Sequence, residues 1–137
     1  MAAAKQTFKG TLADYAALSN DISHGKYSPL YLLMGDEPYY VDMVCDAILE
    51  HCLDESERDF NQTVCYGADV DADAVITAAR RYPMFAERQL VVVKEAQMMK
   101  SLEELAVYCQ KPLESTILVL AMHQGPHTHN LHRHGCR

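Results

Sequence analysis

Pro29-Leu30-Tyr31-Leu32-Leu33-Met34-Gly35-Asp36-Glu37-Pro38 is the stretch that decides the fold. Five apolar residues stand in a row between a proline and a Gly-Asp-Glu-Pro turn. An uninterrupted apolar run of this length, closed by turn residues, reads as a strand buried on both faces rather than on one. Strands of that kind belong to parallel sheets covered by helices. A helix follows at once. Pro38 suits its first turn, where a missing N–H costs nothing, and Tyr40, Val41, Val44, Cys45, Ile48, Leu49 and Cys52 line one broad face.

Outward from this unit, the chain keeps alternating strand and helix. On the N-terminal side, Leu12, Tyr15, Ala16, Leu18 and Ile22 give an approximate 3.6-residue stripe, which predicts a helix over Thr11 to His24. Thr11 would cap it, with Asp14 as a variant capping box, and Gly25 would end it. On the C-terminal side, Asp54 to Asp59 reads as a charged link. Phe60 to Tyr66 alternates like a strand, closed by Gly67. Asp69 or Asp71 would cap a helix through Ala74, Val75, Ala78 and Ala79 to Arg81. Leu90 to Val93 is a third strand. Ser101 to Gln110 is a helix with Leu102, Leu105, Ala106 and Cys109 on one side, and Ser101 with Glu104 matches the capping box. After a turn at Pro112 and Glu114, Thr116 to Ala121 is a fourth strand. The alternation predicts an α/β fold, a three-layer and mostly parallel sheet. Functional groups in such sheets are expected beyond the carboxyl ends of the strands.

Composition narrows the function. The 137 residues make one domain with or without tails, 49% apolar and with a formal charge of −7. Nucleic-acid binding domains carry a basic face, so direct and strong DNA binding is disfavoured. No apolar run approaches the roughly 20 residues that cross a bilayer. The N-terminus lacks the apolar core of a signal peptide, and a soluble, cytoplasmic protein is the expectation. Five cysteines (Cys45, Cys52, Cys65, Cys109 and Cys136) form no C-x-x-C pair. Their odd number and irregular spacing speak against a disulfide framework or a zinc knuckle. Cys45 and Cys52, on one helix face, read as small buried hydrophobes in a reducing compartment.

Residues 1–122 thus form the α/β domain, and 123–137 a different kind of sequence. The tail HQGPHTHNLHRHGCR holds five of the seven histidines and no apolar periodicity. It reads as disordered and non-native, from a frameshift, a readthrough or added sequence. His127, His129, His132 and His134 would take nickel, zinc or copper adventitiously at most, because nothing orders the ligands or supports them from behind. No functional metal site and no cofactor is expected.

The turn Gly35-Asp36-Glu37-Pro38 stands where a phosphate-binding loop would stand. That loop needs several glycines, a lysine for the outer phosphates and a hydroxyl for magnesium. Here one glycine is followed by two carboxylates that repel phosphate, and Pro38 removes a backbone donor. The alternative of a small nucleotide-binding α/β enzyme therefore has little chemistry behind it. No Ser-His-Asp or Cys-His set can be assembled. His24 and His51 stand alone at predicted helix ends. The acidic groups at Asp36 and Glu37 and at Asp69, Asp71 and Asp73 sit at helix starts, where capping and the helix dipole account for them.

What remains is Tyr82-Pro83-Met84-Phe85-Ala86-Glu87-Arg88-Gln89, which runs into Leu90 to Val93. Met84 and Phe85 are adjacent large apolar residues behind a proline. A strand or helix that buries one neighbour turns the next away. Either the pair closes the end of the sheet, or at least one member is exposed for a partner, since Met and aromatic residues are enriched at interfaces.

In this order, the motifs Leu30 to Tyr40 and Tyr82 to Lys94 resemble the N-terminal domain of the delta subunit of bacterial DNA polymerase III, a clamp-loader component. The resemblance runs from Pro29 to about Leu120. It implies a RecA-like, AAA+-type P-loop NTPase fold whose nucleotide loop is degenerate, with no intrinsic activity, inside a DNA-directed DNA polymerase complex. It implies that Met84 and Phe85 sit on a short helix and insert into the protein-binding pocket of the beta sliding clamp, loosening the ring. Arg88 and Gln89 match the flanking pattern as support. Other clamp-loader subunits are implied as partners of the full-length protein, with DNA reached only through the complex. A complete delta subunit continues into a helical lid and a collar domain. The histidine-rich tail stands where that continuation would begin.

Overall fold

The computed structural model describes residues 5–8, 12–35 and 38–123, with side chains for 16–34 and 39–122. The strands are β1 (Lys5–Phe8), β2 (Leu30–Gly35), β3 (Gln62–Tyr66), β4 (Gln89–Lys94) and β5 (Thr116–His123). The helices are α1 (Leu12–Ser23), α2 (Pro38–His51), α3 (Glu55–Asn61), α4 (Ala72–Ala79) and α5 (Leu105–Gln110). All strand pairs are parallel, in the order β1-β2-β5-β4-β3.

Side-chain alternation sorts the layers. Tyr31, Leu33, Leu90, Val92, Ile117 and Val119 pack on one face with Leu18 and Ile22 of α1 and with Val41, Val44 and Ile48 of α2. Leu30, Val91, Val93, Leu118 and Leu120 pack on the other face with Val75 and Ala79 of α4 and with Leu105 and Tyr108 of α5. Right-handed crossovers explain the split: the chain moves one way across the sheet through α1 and α2, then returns through α4 and α5. Central β4 and β5 are buried on both faces, as their unbroken apolar runs require.

Several expectations need correction. Lys5–Phe8 is a fifth strand, pairing with β2 from Lys5↔Leu30 to Phe8↔Leu33. Four residues are too short for a periodic signal. The predicted charged link after α2 is helical: α3 covers Glu55–Asn61, and the Asp54 N–H donates to Glu57 Oε1 at 3.1 Å. Phe60 and Asn61 therefore close a helix, and β3 starts at Gln62. The Ser101 side chain caps nothing. Ser101 is left-handed (φ 61°), and a short 3-10 turn over Leu102–Glu104 precedes α5. On α5 the buried residues are Leu105 and Tyr108, while Ala106 is exposed. β5 runs on to His123, opposite Gly35.

Two expectations about helix ends hold. Asp71 caps α4 by accepting from the Ala74 N–H at 3.0 Å. Gly25 ends α1 with φ 78°. Cys45 and Cys52 are buried and unpaired. Thr11 and Asp36, Glu37, together with the four tail histidines, lie outside the described residues. Among the described residues, no helix is long and apolar enough to cross a membrane, and no His, Cys, Asp and Glu cluster has metal-binding geometry.

Candidate functional site

Met84 and Phe85 lie between the end of α4 and the start of β4, at the amino-terminal edge of the sheet. Gly35 ends β2 at the opposite, carboxyl edge. A six-residue strand puts the two edges roughly 17–20 Å apart. Gly35 and the apolar pair are thus separate places. The pair does not lie beyond the carboxyl ends of the strands, where functional groups of such sheets are expected.

Both residues of the pair face solvent. Phe85 is 92% exposed and Met84 51%. Tyr82 is exposed beside them, and Phe60, at the end of α3, is 65% exposed. The resemblance implies a short helix here, and the structure corrects this: residues 84–87 form a series of bends. Phe85 itself takes φ 58°, the left-handed region. That conformation costs an ordinary residue roughly 1–2 kcal/mol and stops a right-handed helix. It is held only where surrounding contacts over-determine it.

Those contacts are on both sides of the pair. Asn61, 3% exposed, turns its side-chain amide onto the Met84 backbone. The Met84 N–H donates to Asn61 Oδ1 at 2.6 Å, and Asn61 Nδ2 donates back to the Met84 carbonyl at 2.8 Å. The same Nδ2 reaches the Glu57 carbonyl at 3.1 Å, tying the bracket to α3. Below the pair, buried Gln89 closes the other side. Its Nε2 donates to the Arg81 carbonyl at 2.7 Å and to the Ala78 carbonyl at 3.0 Å. It also lies 3.0 Å from Thr116 Oγ1, and the Thr116 hydroxyl donates to the Ala79 carbonyl at 2.6 Å. These two side chains satisfy the terminal carbonyls of α4, which a helix end otherwise leaves without partners.

Arg88 anchors the loop's exit. Its guanidinium stacks 5.0 Å from the centre of the Tyr27 ring, a cation–π arrangement. Burial pushes the Tyr27 phenol up to about 12 and the Cys52 thiol up to about 11, with Arg88 opposing both shifts. Both groups are therefore neutral at ordinary pH.

The loop thus presents an apolar tip on a polar, hydrogen-bonded frame, without the arrangement of a nucleophile or of an acid–base pair. Of the site residues expected from the sequence, Met84 and Phe85 are brought to the surface, and Arg88 and Gln89 are structural anchors below them. Sequence reasoning misses Asn61. The signal that finds it is Asp54-x-x-Glu57, a helix-start pattern that puts Asn61 at the end of a helix instead of inside a strand.

Fold and edge together define a parallel α/β domain that displays an apolar loop. The family model described as DNA polymerase III, delta subunit, matches residues 31–132. The DNA polymerase III subunit delta of Bacillus subtilis (strain 168) is 28% identical over 109 residues, covering 72% of this chain and 31% of that protein. The solved Bacillus subtilis DNA clamp loader delta protein superposes with a TM-score of 0.71 at 26% identity, covering 81% of this chain and 36% of that one. The chain belongs to the DNA polymerase III delta subunit family. It spans about a third of the length of the relatives it matches.

Proposed function

We propose that this domain binds the beta sliding clamp of the bacterial replication machinery through Met84 and Phe85, and that in the full-length protein it helps a clamp loader to open the ring. The observation that carries this reading is Phe85: a large aromatic side chain, 92% exposed, in a left-handed conformation on a loop pinned from both sides. A side chain held out in this way loses little freedom on docking, which favours affinity.

Ring opening needs a ligand that binds the strained or open form better than the closed one. A rigid apolar tip does this if its pocket in the clamp lies where insertion strains a subunit interface. The domain itself carries out no reaction. Its place is as a subunit of a DNA-directed DNA polymerase complex in the cytoplasm, where the other clamp-loader subunits are its partners and DNA is reached through them. The fold is RecA-like and AAA+-type with a nucleotide loop that has lost its function. Supporting this are the all-parallel sheet, the helix that starts at Pro38 after β2, which lies between β1 and β5, and the absence from Gly35 to Pro38 of a lysine or hydroxyl for nucleotide phosphates and magnesium.

Isothermal titration of the domain with the clamp tests the reading. Phe85→Ala is expected to lose about 2 kcal/mol or more, roughly 30-fold in affinity, with the fold intact. Near-wild-type affinity of that variant overturns the assignment. A parallel titration with ATP is expected to show no saturable binding at micromolar concentrations.

A further inference from the structure

We propose that the clamp-docking surface is built from two segments, the Tyr82–Phe85 loop and the C-terminal turn of α3, with Phe60 as a second aromatic contact and Asn61 as the residue that holds the two segments in register. This rests on the clamp-binding reading above and extends it to α3. Three observations carry it. Asn61 is nearly inaccessible to solvent, yet its side chain does not serve its own helix end alone. It makes the paired 2.6 and 2.8 Å bonds to the Met84 backbone across 23 residues of sequence. Phe60 directly precedes Asn61, so its Cα is about 3.8 Å from that of the bracketing residue. Phe60 is 65% exposed although the other exposed residues of α3, Glu55, Ser56 and Asp59, are polar. The core makes little use of this aromatic ring. Through Asn61, α3 and the exposed ring it carries are tied to the apolar loop. The occupant is the clamp itself, because a body that seats Phe85 comes down on the loop to which Phe60 is tied.

The consequence for Asn61 is positional. The left-handed Phe85 follows directly on the bracketed Met84. Losing the bracket lets Met84 and Phe85 sample other conformations, and binding then has to supply the ordering.

Titration of the clamp with three variants tests this, alongside hydrogen exchange on the free domain. Phe60→Ala is expected to weaken binding about 5- to 20-fold with an unchanged melting temperature. Asn61→Ala is expected to weaken it at least 10-fold and to speed exchange at the Met84 amide while Val91 to Val93 stay protected. Wild-type affinity of Phe60→Ala removes α3 from the surface. Asn61→Ala with wild-type affinity, or with faster exchange throughout β4, reduces Asn61 to a general stabilising residue. Should Asn61→Ala unfold, Asn61→Asp serves in its place. It keeps the acceptor for the Met84 N–H, loses the donor, and is expected to bind between wild type and Phe85→Ala. Phe85→Ala separates the two levels: if it binds normally, clamp docking at this edge fails altogether, whereas its loss with unaffected Phe60→Ala overturns only the two-segment surface.

Discussion

Asn61 and Met84, 23 residues apart, are joined by two hydrogen bonds between one side-chain amide and one backbone residue, at 2.6 and 2.8 Å. The amide stands in for a strand neighbour: it offers the acceptor and the donor that a paired backbone would offer. The loop is therefore fixed without belonging to the sheet, and its side chains stay free to point outward.

This arrangement separates the backbone of Phe85 from its ring, which Phe85→Gly exploits. Glycine adopts φ 58° without steric cost, while it adds entropy to the unfolded chain. The two effects oppose each other, so stability in urea is expected to stay within about 1 kcal/mol of wild type. Clamp affinity is expected to fall as far as in Phe85→Ala. A variant that melts normally but does not bind assigns the ring to recognition.

Gln89→Leu keeps the size of the side chain and removes its donors. The Arg81 and Ala78 carbonyls lose their partner at a buried position. Loss of stability of about 1–3 kcal/mol is expected, read as a lower denaturation midpoint. The end of α4 and the display loop are expected to exchange amide hydrogens faster than α2 does.

Gly67 ends β3 where the backbone passes closely over the next strand's exit. A Cβ there would clash with the carbonyl oxygen of Glu95 and crowd Ala96 Cα. Both are backbone atoms, and Glu95 is itself left-handed at φ 53°. Gly67→Ala is therefore expected to cost about 1–3 kcal/mol, measured by thermal denaturation, with little change in clamp affinity because Gly67 lies at the carboxyl edge.

Alkaline pH provides a test of the core. Burial raises the Cys45 and Cys52 thiols from 9.0 to about 11. The folded state then keeps protons that the unfolded chain releases, so unfolding becomes easier as pH rises. The contribution is complete below pH 9 and is lost between pH 9 and about 11. Burial of Tyr27, raised from 10.0 to about 12, adds to the loss in the upper half of that window. Denaturation midpoints under reducing conditions are expected to fall from about pH 8.5 to about pH 10.5, and to fall less steeply in Cys45→Ala.

The unequal legibility of the elements has physical causes. β2, β4 and β5 are legible because a strand buried on both faces must be apolar at every position, whatever its neighbours. α2 and α4 are legible because one face is apolar and the start carries Pro38 or Asp71. α3 is not, since it is a charged segment in which Phe60 alone is large and apolar, and that ring faces solvent. The capping-box pattern misleads in both directions. It predicts a side-chain cap at Ser101, where the backbone is left-handed, and at Asp54 to Glu57 it is hidden within a run of charges.

By itself, then, the amino-acid sequence determined the parallel α/β class, the lack of a phosphate-loop motif at Gly35 to Pro38 and the candidacy of Met84 and Phe85. These depend on residue type and short-range order. Tertiary structure decided that both are exposed, that they stand at the amino-terminal edge, and that Asn61 holds them there. Exposure and position depend on which segments pack beside the loop. A hydrogen bond across 23 residues leaves no local trace in the chain, because its two ends meet only after the sheet has brought α3 and the entrance of β4 together.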